Sequence, residues 1–238
     1  MPKYEDTIYA LSTPTGKSAI ALIRVSGKDS LKVLKKLSSI KRITPKKTKL
    51  TFLKFNKSII DQVIITYFKK PNSFTGEDMV EINCHGSVAI ILKITQTLDL
   101  LGLRMAEPGE FTRRSLMNDK LDLVQTEGLS DLINAETDKQ RIMALSNLSG
   151  DLSSFVERIN DGLRKILANI EALIDFSDED LPKNIFKEIS EQNKNIIKKI
   201  EKEVVNSKIS RSIREGFVVS VVGKPNTGKS SFINALLN

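Results

Sequence analysis

The stretch GKPNTGKS, from Gly223 to Ser230, has the residue types and spacing of a phosphate-binding loop. Its two glycines let the backbone turn tightly, so that successive N–H groups face phosphate oxygens. Lys229 supplies a mobile ammonium for the outer phosphates, and Ser230 offers a hydroxyl ligand to Mg²⁺. The sequence therefore predicts a nucleotide site, although the loop itself does not distinguish GTP from ATP.

The residues around this loop predict the elements that must position it. FVVSVV before the loop is typical of a buried β-strand, and SSFINALL after it predicts a helix whose N-terminal dipole favours phosphate. A glycine-rich surface turn is the alternative, but it explains neither the Lys-Ser pair nor the apolar flank. Only eight residues follow Ser230. An open parallel sheet needs several strands, so we expect this chain alone to bind nucleotide weakly and to hydrolyse none.

Composition narrows the class of protein. Of 238 residues, 40% are hydrophobic and 28% charged, which is typical of a globular protein with a core. The apolar runs are too short to span a bilayer and the N-terminus lacks a secretory signal, so a cytoplasmic location is expected. The single cysteine, Cys84, excludes an internal disulfide and a CxxC metal site, and we interpret it as a small strand residue.

A net charge of +8 leaves two interpretations open, a lysine-rich composition or a polyanionic partner such as nucleic acid. The most one-sided segment is KRITPKKTKLTFLKFNK, residues 41–57, with seven basic residues and no acidic one. It either contacts a phosphate backbone or forms a solvated loop that leads into a strand.

The first part of the chain alternates between strand and helix patterns. Strands are predicted at 19–27, 50–55, 61–68 and 79–84, and helices at 29–37 and 87–102, with a turn-rich loop at 70–78. From about residue 120 glycine and proline become scarce and the apolar period becomes 3.6. This predicts helices at 129–148, 161–176 and 185–207, with a break at DFSDEDLP. An α+β domain followed by a helical bundle is therefore expected.

Five stretches carry a resemblance to a known family. They are DTIYALSTPTGKSAIALIRVSG, PNSFTGEDMVEINCHG, PGEFTRRSLMNDKLDLVQTEGLSDLI, EALIDFSDED and REGFVVSVVGKPNTGKSSFINALL. In this order they resemble the tRNA uridine-modification GTPase family called MnmE, or TrmE. Two departures lie near the expected ligand side: Lys17-Ser18-Ala19 stands where the family has further glycines, and His85-Gly86-Ser87 stands where it has HGG.

The resemblance implies an architecture that matches the pattern. Residues 1–119 form a folate-binding α+β domain, similar to that of the glycine-cleavage T protein, which also makes a homodimer. Residues 120–215 form the first half of a helical domain, and 216–238 begin a P-loop G domain that is inserted into it. The apolar faces of the predicted helices 161–176 and 185–207 would then lack the later helices of the bundle that pack on them. Exposed apolar stripes or dimer contacts are therefore expected there.

The resemblance also implies a function. Family members are GTPases that help to add a carboxymethylaminomethyl group at C5 of the wobble uridine of certain tRNAs, with a flavin-binding partner, MnmG, and a one-carbon unit from 5-formyl- or methylene-tetrahydrofolate. Two alternatives remain open: a folate-binding dimerisation module without hydrolysis, and a plain nucleic-acid-binding protein that uses a basic face. Folate binding without turnover would favour the first, and salt-dependent tRNA binding without either ligand would favour the second.

Site residues carry over by position. For folate these are Arg24, Glu81 and Lys120. An arginine fork can hold a carboxylate or carbonyl, a carboxylate can accept N–H bonds from a pterin edge, and a lysine suits an anionic tail. Without the resemblance, all three would be interpreted as ordinary surface charges.

For GTP the implied residues are Asn226, Thr227, Gly228, Lys229, Ser230 and Ser231. Ser230 is the implied Mg²⁺ ligand, and Asn226 is an implied K⁺ ligand whose alternative role is turn chemistry. His85, the single histidine, is either a pocket residue or a strand-end hydrogen-bonding residue. The structural role is favoured, because one lone histidine makes neither a metal site nor a catalytic pair.

Overall fold

A computed structural model describes residues 6–40, 42–175, 184–215 and 219–237, without the side chains of 208–213 and 215. These parts of the chain form a six-stranded sheet and eight helices. The strands are β1 Ile8–Leu11, β2 Ser18–Ser26, β3 Thr48–Phe55, β4 Ser58–Phe68, β5 Met79–Gly86 and β6 Arg104–Met105. The helices are α1 Ser30–Leu37, α2 Val88–Leu100, α3 Glu110–Met117, α4 Leu123–Ile133, α5 Asp138–Leu148, α6 Asp151–Asp175, α7 Ile185–Glu215 and α8 Lys229–Leu237. The chain divides into two compact units, 1–126 and 127–238.

The sheet of the first unit has the order β3-β4-β5-β2-β1-β6. All neighbours are antiparallel except β1 and β6, which are parallel. Side chains alternate across a strand, so one face takes every second residue. Ile23 and Val25 of β2 and Val80 and Ile82 of β5 are buried in one apolar core. The residues between them, Arg24 and Glu81 among others, therefore lie on the opposite face.

Two helices close the core face. α1 contributes Val33, Leu34 and Leu37, and α2 contributes Ile94 and Leu98 to the same core. Their apolar residues recur three or four positions apart, which is the period of one helix face. The four predicted strands and both helices of this unit are confirmed, whereas β1, β6 and α3 were not predicted. β1 and β6 are short, and α3 is amphipathic around a buried arginine rather than an apolar stripe.

The second unit contains a break that the sequence pattern did not predict. Residues 129–148 were expected to form one helix, but the structure ends α4 at Ile133 and starts α5 at Asp138. The reason is a capping box at Thr137. Its hydroxyl accepts from the Gln140 amide at 3.3 Å, while the Gln140 side chain accepts from the Thr137 amide at 2.9 Å. These bonds satisfy backbone donors that a continuous helix would have paired internally.

The two long helices α6 and α7 extend beyond their predicted ranges and pack on each other. Their shared core consists of Ile159, Ile166 and Ile196, and Gly162 allows the close approach. A Cβ at Gly162 would lie 2.9 Å from Ile196 Cδ1. The expected exposed stripes are confirmed; they comprise Leu163, Leu167, Ile170, Ile174, Ile197, Ile200 and Val204. The predicted break at DFSDEDLP falls almost entirely outside the described residues.

The predicted strand before the phosphate loop is wrong over the residues that can be described. Residues 219–222 form no strand, and Val219 and Val222 are exposed. A strand needs a hydrogen-bonded neighbour, and the sheet of this structure lies wholly within residues 8–105. The first two residues of FVVSVV, Phe217 and Val218, lie outside the described residues. The predicted helix after the loop is confirmed as α8.

Candidate functional site

Arg24 and Glu81 meet on the sheet face opposite the core. The register pairs them directly across β2 and β5, which brings their side chains within reach of each other. Arg24 Nη2 lies 2.7 Å and Nε 3.1 Å from Glu81 Oε1. Both side chains are about one-fifth exposed, at 23% and 20%. The pair is thus partly shielded from water, which strengthens a charge-assisted hydrogen bond.

The geometry of this pair leaves polar capacity unused. Arg24 Nε and Nη2 both donate to the same carboxylate oxygen of Glu81, Oε1. Within the described parts of the chain, neither Arg24 Nη1 nor Glu81 Oε2 has a hydrogen-bonding partner. A guanidinium offers five donors and an ionised carboxylate accepts at both oxygens. As far as the structure describes the chain, the pair therefore retains one unpaired donor nitrogen, Arg24 Nη1, and one unpaired acceptor oxygen, Glu81 Oε2, for a ligand.

Two aromatic rings lie close to the Arg24 guanidinium. Arg24 Cζ lies 5.3 Å from the centre of the Phe74 ring and 5.9 Å from that of the Phe111 ring. Both distances fall within the range of cation–π attraction. Phe74 comes from the loop between β4 and β5, and Phe111 from the first turn of α3. The aromatic faces and the polar pair together suit a flat ligand that carries hydrogen-bonding groups on one edge.

The loop that carries Phe74 is held at several points. Ser115 Oγ donates to the Phe74 carbonyl and Asn118 Nδ2 to the Thr75 carbonyl, both at 2.7 Å. The Thr75 side chain is fully buried, and its hydroxyl lies 2.6 Å from Ser26 Oγ. These three hydrogen bonds tie the Phe74 loop to Ser26, Ser115 and Asn118, and so hold Phe74 in place.

Lys120 lies against the same loop rather than on the Arg24–Glu81 pair. Its backbone amide donates to the Ser115 carbonyl at 2.9 Å. Its side chain runs beside Gly76, where an added Cβ would meet Lys120 Cγ at 3.3 Å and Asn118 Cβ at 2.8 Å. Gly76 also has a φ of +77°, which favours glycine. The structure thus brings Arg24 and Glu81 into contact and places Lys120 against the loop that bears Phe74.

A buried arginine anchors α3 beneath this site. Arg114 is fully buried, and its guanidinium lies 2.7 Å from Asp6, 3.0 Å from Glu110 and 3.2 Å from Glu77. Arg104 adds a second ion pair to Glu110, at 2.6 Å. A buried charge is costly unless it is paired in this way. The network ties α3, and with it Phe111, to the start of β1 and to the Phe74 loop.

The same network shifts the acidity of Glu110. Burial alone would raise the pKa of this carboxyl, but hydrogen bonds from Arg104, the Glu107 amide and Arg114 lower it to about 2. Glu110 is therefore ionised throughout the neutral range. Its charge belongs to the support of the site, since the side chain has no exposed surface for a ligand.

The phosphate loop has the backbone features that its sequence predicts. Gly228 has a φ of +83° and Asn226 of +62°, and α8 begins directly at Lys229. Lys229 Nζ donates to the carbonyls of Gly223 and Lys224, at 3.0 and 2.6 Å. The ammonium thus lies across the mouth of the loop, while Ser230 and Ser231 sit in the first turn of α8. A phosphate group would have to replace those carbonyl bonds.

His85, near the end of β5, is paired with the carboxylate of Asp61 in β4. Its Nδ1 lies 2.8 Å from Asp61 Oδ1, and its backbone amide donates to Asp61 Oδ2 at 2.9 Å. Asp61 also accepts from the Gln62 amide. These contacts support the interpretation of His85 as a hydrogen-bonding residue. Next to it, burial raises the pKa of the Cys84 thiol to about 11, with a further contribution from Asp61.

Sequence reasoning assigned no role to Phe74, Phe111 or Arg114. All three stand inside stretches that carried the family resemblance, PNSFTGED and PGEFTRRS. For Phe74 the available signal is an aromatic residue in a loop with Pro and Gly, because binding residues lie disproportionately on loops. Nothing local in the sequence marks Arg114 as buried.

Comparison with known proteins assigns the chain to a family. Residues 7–120 match the model of the GTP-binding protein TrmE N-terminus, and 123–222 match that of the MnmE helical domain. The chain belongs to the MnmE (TrmE) family. Residues 218–238 also match the model of the 50S ribosome-binding GTPase, which agrees with the start of a GTPase domain at the phosphate loop.

Individual relatives support the same family. The chain is 43% identical over 231 residues to a protein of Neorickettsia sennetsu named tRNA modification GTPase MnmE; the match covers 97% of this chain and 42% of that protein. It is 42% identical over 238 residues to the protein of the same name from a Sulfurovum species, covering 99% and 53%. The chain spans about half the length of the curated relatives it matches.

Two further structural findings concern membrane-spanning helices and metal-binding groups. Across the residues that can be described, no helix combines the length and the apolar character needed to cross a bilayer. The described His, Cys, Asp and Glu side chains also form no group of three or more that could hold a metal ion.

Proposed function

We propose that this chain binds a tetrahydrofolate at the Arg24–Glu81 pair, as part of a protein that modifies the wobble uridine of certain tRNAs. The observation that carries the proposal is the unused donor and acceptor of this pair, together with two aromatic rings centred 5.3 and 5.9 Å from Arg24 Cζ. A pterin is a flat heterocycle with several edge donors and acceptors, so it matches both features. When bound, the folate supplies the one-carbon unit of the modification.

Each residue has a distinct task in this proposal. Glu81 accepts N–H groups of the pterin edge through its free oxygen, and Arg24 holds a carbonyl or carboxylate through Nη1. Lys120 is exposed and adjoins the Phe74 loop, so its ammonium can meet the anionic tail of the ligand. Phe74 and Phe111 cover the ring and exclude water from the pair.

Calorimetric titration with 5-formyl-tetrahydrofolate tests the assignment. Glu81→Gln keeps the shape of the side chain but removes the charge, and a charged hydrogen bond contributes about 1.5–3 kcal/mol. The affinity is therefore expected to fall about 10- to 100-fold. Glu107→Gln is the matched control, because Glu107 lies in the same unit and is 62% exposed. Equal affinities of wild type and Glu81→Gln would remove Glu81 from the site.

We further propose that the phosphate loop binds GTP in the whole protein, which then acts as a GTPase. Lys229 would release the loop carbonyls to meet the outer phosphates, and Ser230 would give its hydroxyl to Mg²⁺. Asn226 and Thr227 lie in the exposed loop beside Gly228, and Asn226 offers an amide oxygen to K⁺. Comparing GTP affinity in KCl and NaCl tests the role assigned to Asn226: an Asn226→Ala variant should lose any preference for K⁺.

A homodimer through the first unit is also proposed, and an exposed apolar surface supports it. On the face of the sheet opposite the core, Leu50, Phe52 and Ile64 are 62%, 43% and 45% exposed. Leu50 and Ile64 are direct cross-strand partners, so the apolar surface is continuous. Contiguous apolar surface of this kind is typical of a protein interface. Sedimentation velocity on the chain distinguishes a dimer from a monomer.

Other parts of the proposal rest on the resemblance to the family. These are the flavin-binding MnmG-type partner, the cytoplasmic location and the chemistry at C5 of the uridine. The exposed stripes of α6 and α7 support a further element, additional helices that complete the bundle in the whole protein. Co-purification of the whole protein with its flavin-binding partner tests the partner directly.

One observation favours a second candidate for this chain taken alone, a folate-binding dimerisation module without GTP hydrolysis. The Arg24–Glu81 site is assembled from packed elements, whereas residues 219–222 form no strand beside the phosphate loop. The two candidates differ in one assay. Steady GTP turnover by this chain in KCl would exclude the second, and folate binding without turnover would support it.

A further inference from the structure

The positive charge of the chain is concentrated in one segment. Residues 28–57 contain eleven Lys and Arg and a single acid, Asp29, so this segment carries +10. The whole chain carries +8, and the remaining 208 residues therefore carry −2. A uniformly lysine-rich composition would have spread the excess along the chain. The charge is thus a local property of α1, β3 and the turns beside them.

The fold gathers these residues along one edge of the first unit. β3 is the edge strand of the sheet, and α1 packs against it. Ser38, directly after α1, forms a β-bridge with Leu53 in β3. This bridge places the basic last turn of α1, with Lys35 and Lys36, next to the strand that carries Lys49 and Lys54.

Turns at the two ends of β3 extend the basic edge. Before the strand, the Lys46 amide donates to the Tyr67 carbonyl at 2.8 Å, which fixes this turn at the end of β4. After it, Lys57 sits in the hairpin turn between β3 and β4. Since β3 has eight residues, the charges extend over roughly 25 Å. That length is enough to follow several phosphates of a nucleic-acid backbone.

The cationic side chains of this edge are exposed and largely lack a counter-charge among the described residues. Lys32 forms a weak ion pair with Asp29, at 3.8 Å. None of the following exposed residues forms an ion pair with a described acid: Lys35, Lys36, Arg42, Lys46, Lys47, Lys49, Lys54 and Lys57. Cations gathered in one place without counter-charges repel each other, and a polyanion would relieve that repulsion.

We propose that this basic edge, formed by α1, β3 and the flanking turns, docks the phosphate backbone of a structured RNA. The inference rests on the proposed function, in which the RNA is the tRNA substrate. A-form RNA is recognised largely through its shape and its phosphates, and lysines suit such contacts because they need no base-specific geometry. The edge binds the RNA backbone, while the uridine is modified at a different site.

Binding of labelled tRNA to the chain at several KCl concentrations tests the proposal. The edge variant replaces Lys46, Lys47, Lys49 and Lys54 by Gln. The control variant replaces Lys194, Lys198, Lys199 and Lys202 on α7, which are also exposed, by Gln. Both lower the net charge by four. The slope of log K against log salt changes by about one for each phosphate that is no longer neutralised. We expect the slope to weaken by about three to four units in the edge variant and by less than about one in the control.

The outcomes separate the proposal from its alternatives. Equal losses in both variants would mean that only net charge matters, and would overturn the docking edge. Edge-dependent binding to phosphatidylserine vesicles without binding to tRNA would overturn RNA as the partner. If four substitutions disturb folding, judged by a changed melting temperature, the double variant Lys46→Gln/Lys47→Gln is expected to weaken the slope by about two units. An unchanged slope in that double variant would overturn the docking edge as well.

Folate titration of the same variants keeps the two proposals distinguishable. The edge variant should retain wild-type affinity for 5-formyl-tetrahydrofolate, because none of its four lysines touches the Arg24–Glu81 pair. Loss of folate affinity in the edge variant would contradict a separate docking surface. A wild-type chain that binds tRNA through the edge but no folate would overturn the folate proposal and leave the edge standing.

Discussion

Replacing Glu110 by Gln should strongly destabilise the first unit. Glu110 is fully buried and receives ion pairs from Arg104 at 2.6 Å and from Arg114 at 3.0 Å. Gln preserves the shape but leaves the Arg114 charge buried with less compensation. The expected size of the effect is about 3 kcal/mol or more. Breaking a buried pair costs about 3–5 kcal/mol, and lowering the pKa from 4.5 to about 2 corresponds to about 3 kcal/mol.

The pH dependence follows from the direction of the shift. The folded pKa of Glu110 lies below its unfolded value, so the folded state binds this proton less readily. The stabilisation of the folded state by the ionised Glu110 carboxyl is therefore fully present above about pH 4.5 and is lost as the pH falls towards 2. The difference in stability between wild type and Glu110→Gln should be largest at pH 7 and shrink steadily below about pH 4.5.

Urea unfolding followed by circular dichroism at about pH 7, 5, 4 and 3 measures both effects. At neutral pH the free energy of unfolding of Glu110→Gln is expected to be about 3 kcal/mol lower than that of the wild type. This corresponds to a fall of roughly 10–15 °C in the melting temperature of this unit. Glu107→Gln, which removes an exposed ion pair to Arg113, should change stability by less than about 0.5 kcal/mol. A loss below about 1 kcal/mol for Glu110→Gln, or one that does not vary with pH, would refute the reasoning.

Three further predictions concern other parts of the chain. Gly76→Ala should lower the free energy of unfolding in urea by about 1–3 kcal/mol and weaken folate binding, because residue 76 has a φ of +77° and an added Cβ would meet Asn118 Cβ at 2.8 Å. An unchanged urea midpoint would contradict this prediction. Cys84 should react with iodoacetamide at about pH 8 at least about 100-fold more slowly in the folded than in the urea-unfolded chain, since burial raises its pKa from 9.0 to about 11; equal rates would contradict the burial. GTP should bind the chain with a Kd weaker than micromolar by calorimetry, because Val219 and Val222 are exposed and form no strand behind the loop; nanomolar affinity would defeat this prediction.

Local patterns in the sequence predicted most of the larger elements. Strands such as β5 alternate apolar and polar residues because one face lies on the core, and this alternation is visible without a structure. The break at Thr137 was missed because the apolar period continues across it. The signal there is a capping box, a pattern of polar residues that has no apolar period of its own.

The site was predicted less completely, for a physical reason. Arg24 and Glu81 are 57 positions apart, and only the pairing of β2 with β5 brings them together. The resemblance to the family predicted that these two residues bind the ligand, but only the hydrogen-bond geometry shows that Arg24 Nη1 and Glu81 Oε2 are unpaired among the described residues. Phe74 and Phe111 belong to a loop and a helix whose positions depend on Thr75, Ser115 and Arg114, and those contacts are all non-local.

The exposed residues before the phosphate loop illustrate the limit of local reasoning. FVVSVV has the composition of a buried strand, and the pattern predicts one correctly only when neighbouring strands are present to pair with it. In the described residues no such neighbour adjoins 219–222. The helix after the loop needs no partner for its hydrogen bonds, and α8 accordingly forms as predicted.

The most direct test of the central claim is a crystal structure of this chain with 5-formyl-tetrahydrofolate. The proposal predicts the pterin ring between Phe74 and Phe111, with its edge on Glu81 and Arg24 and its anionic tail towards Lys120. Density for the ligand anywhere else on the chain, with the Arg24–Glu81 pair unoccupied, would contradict the account.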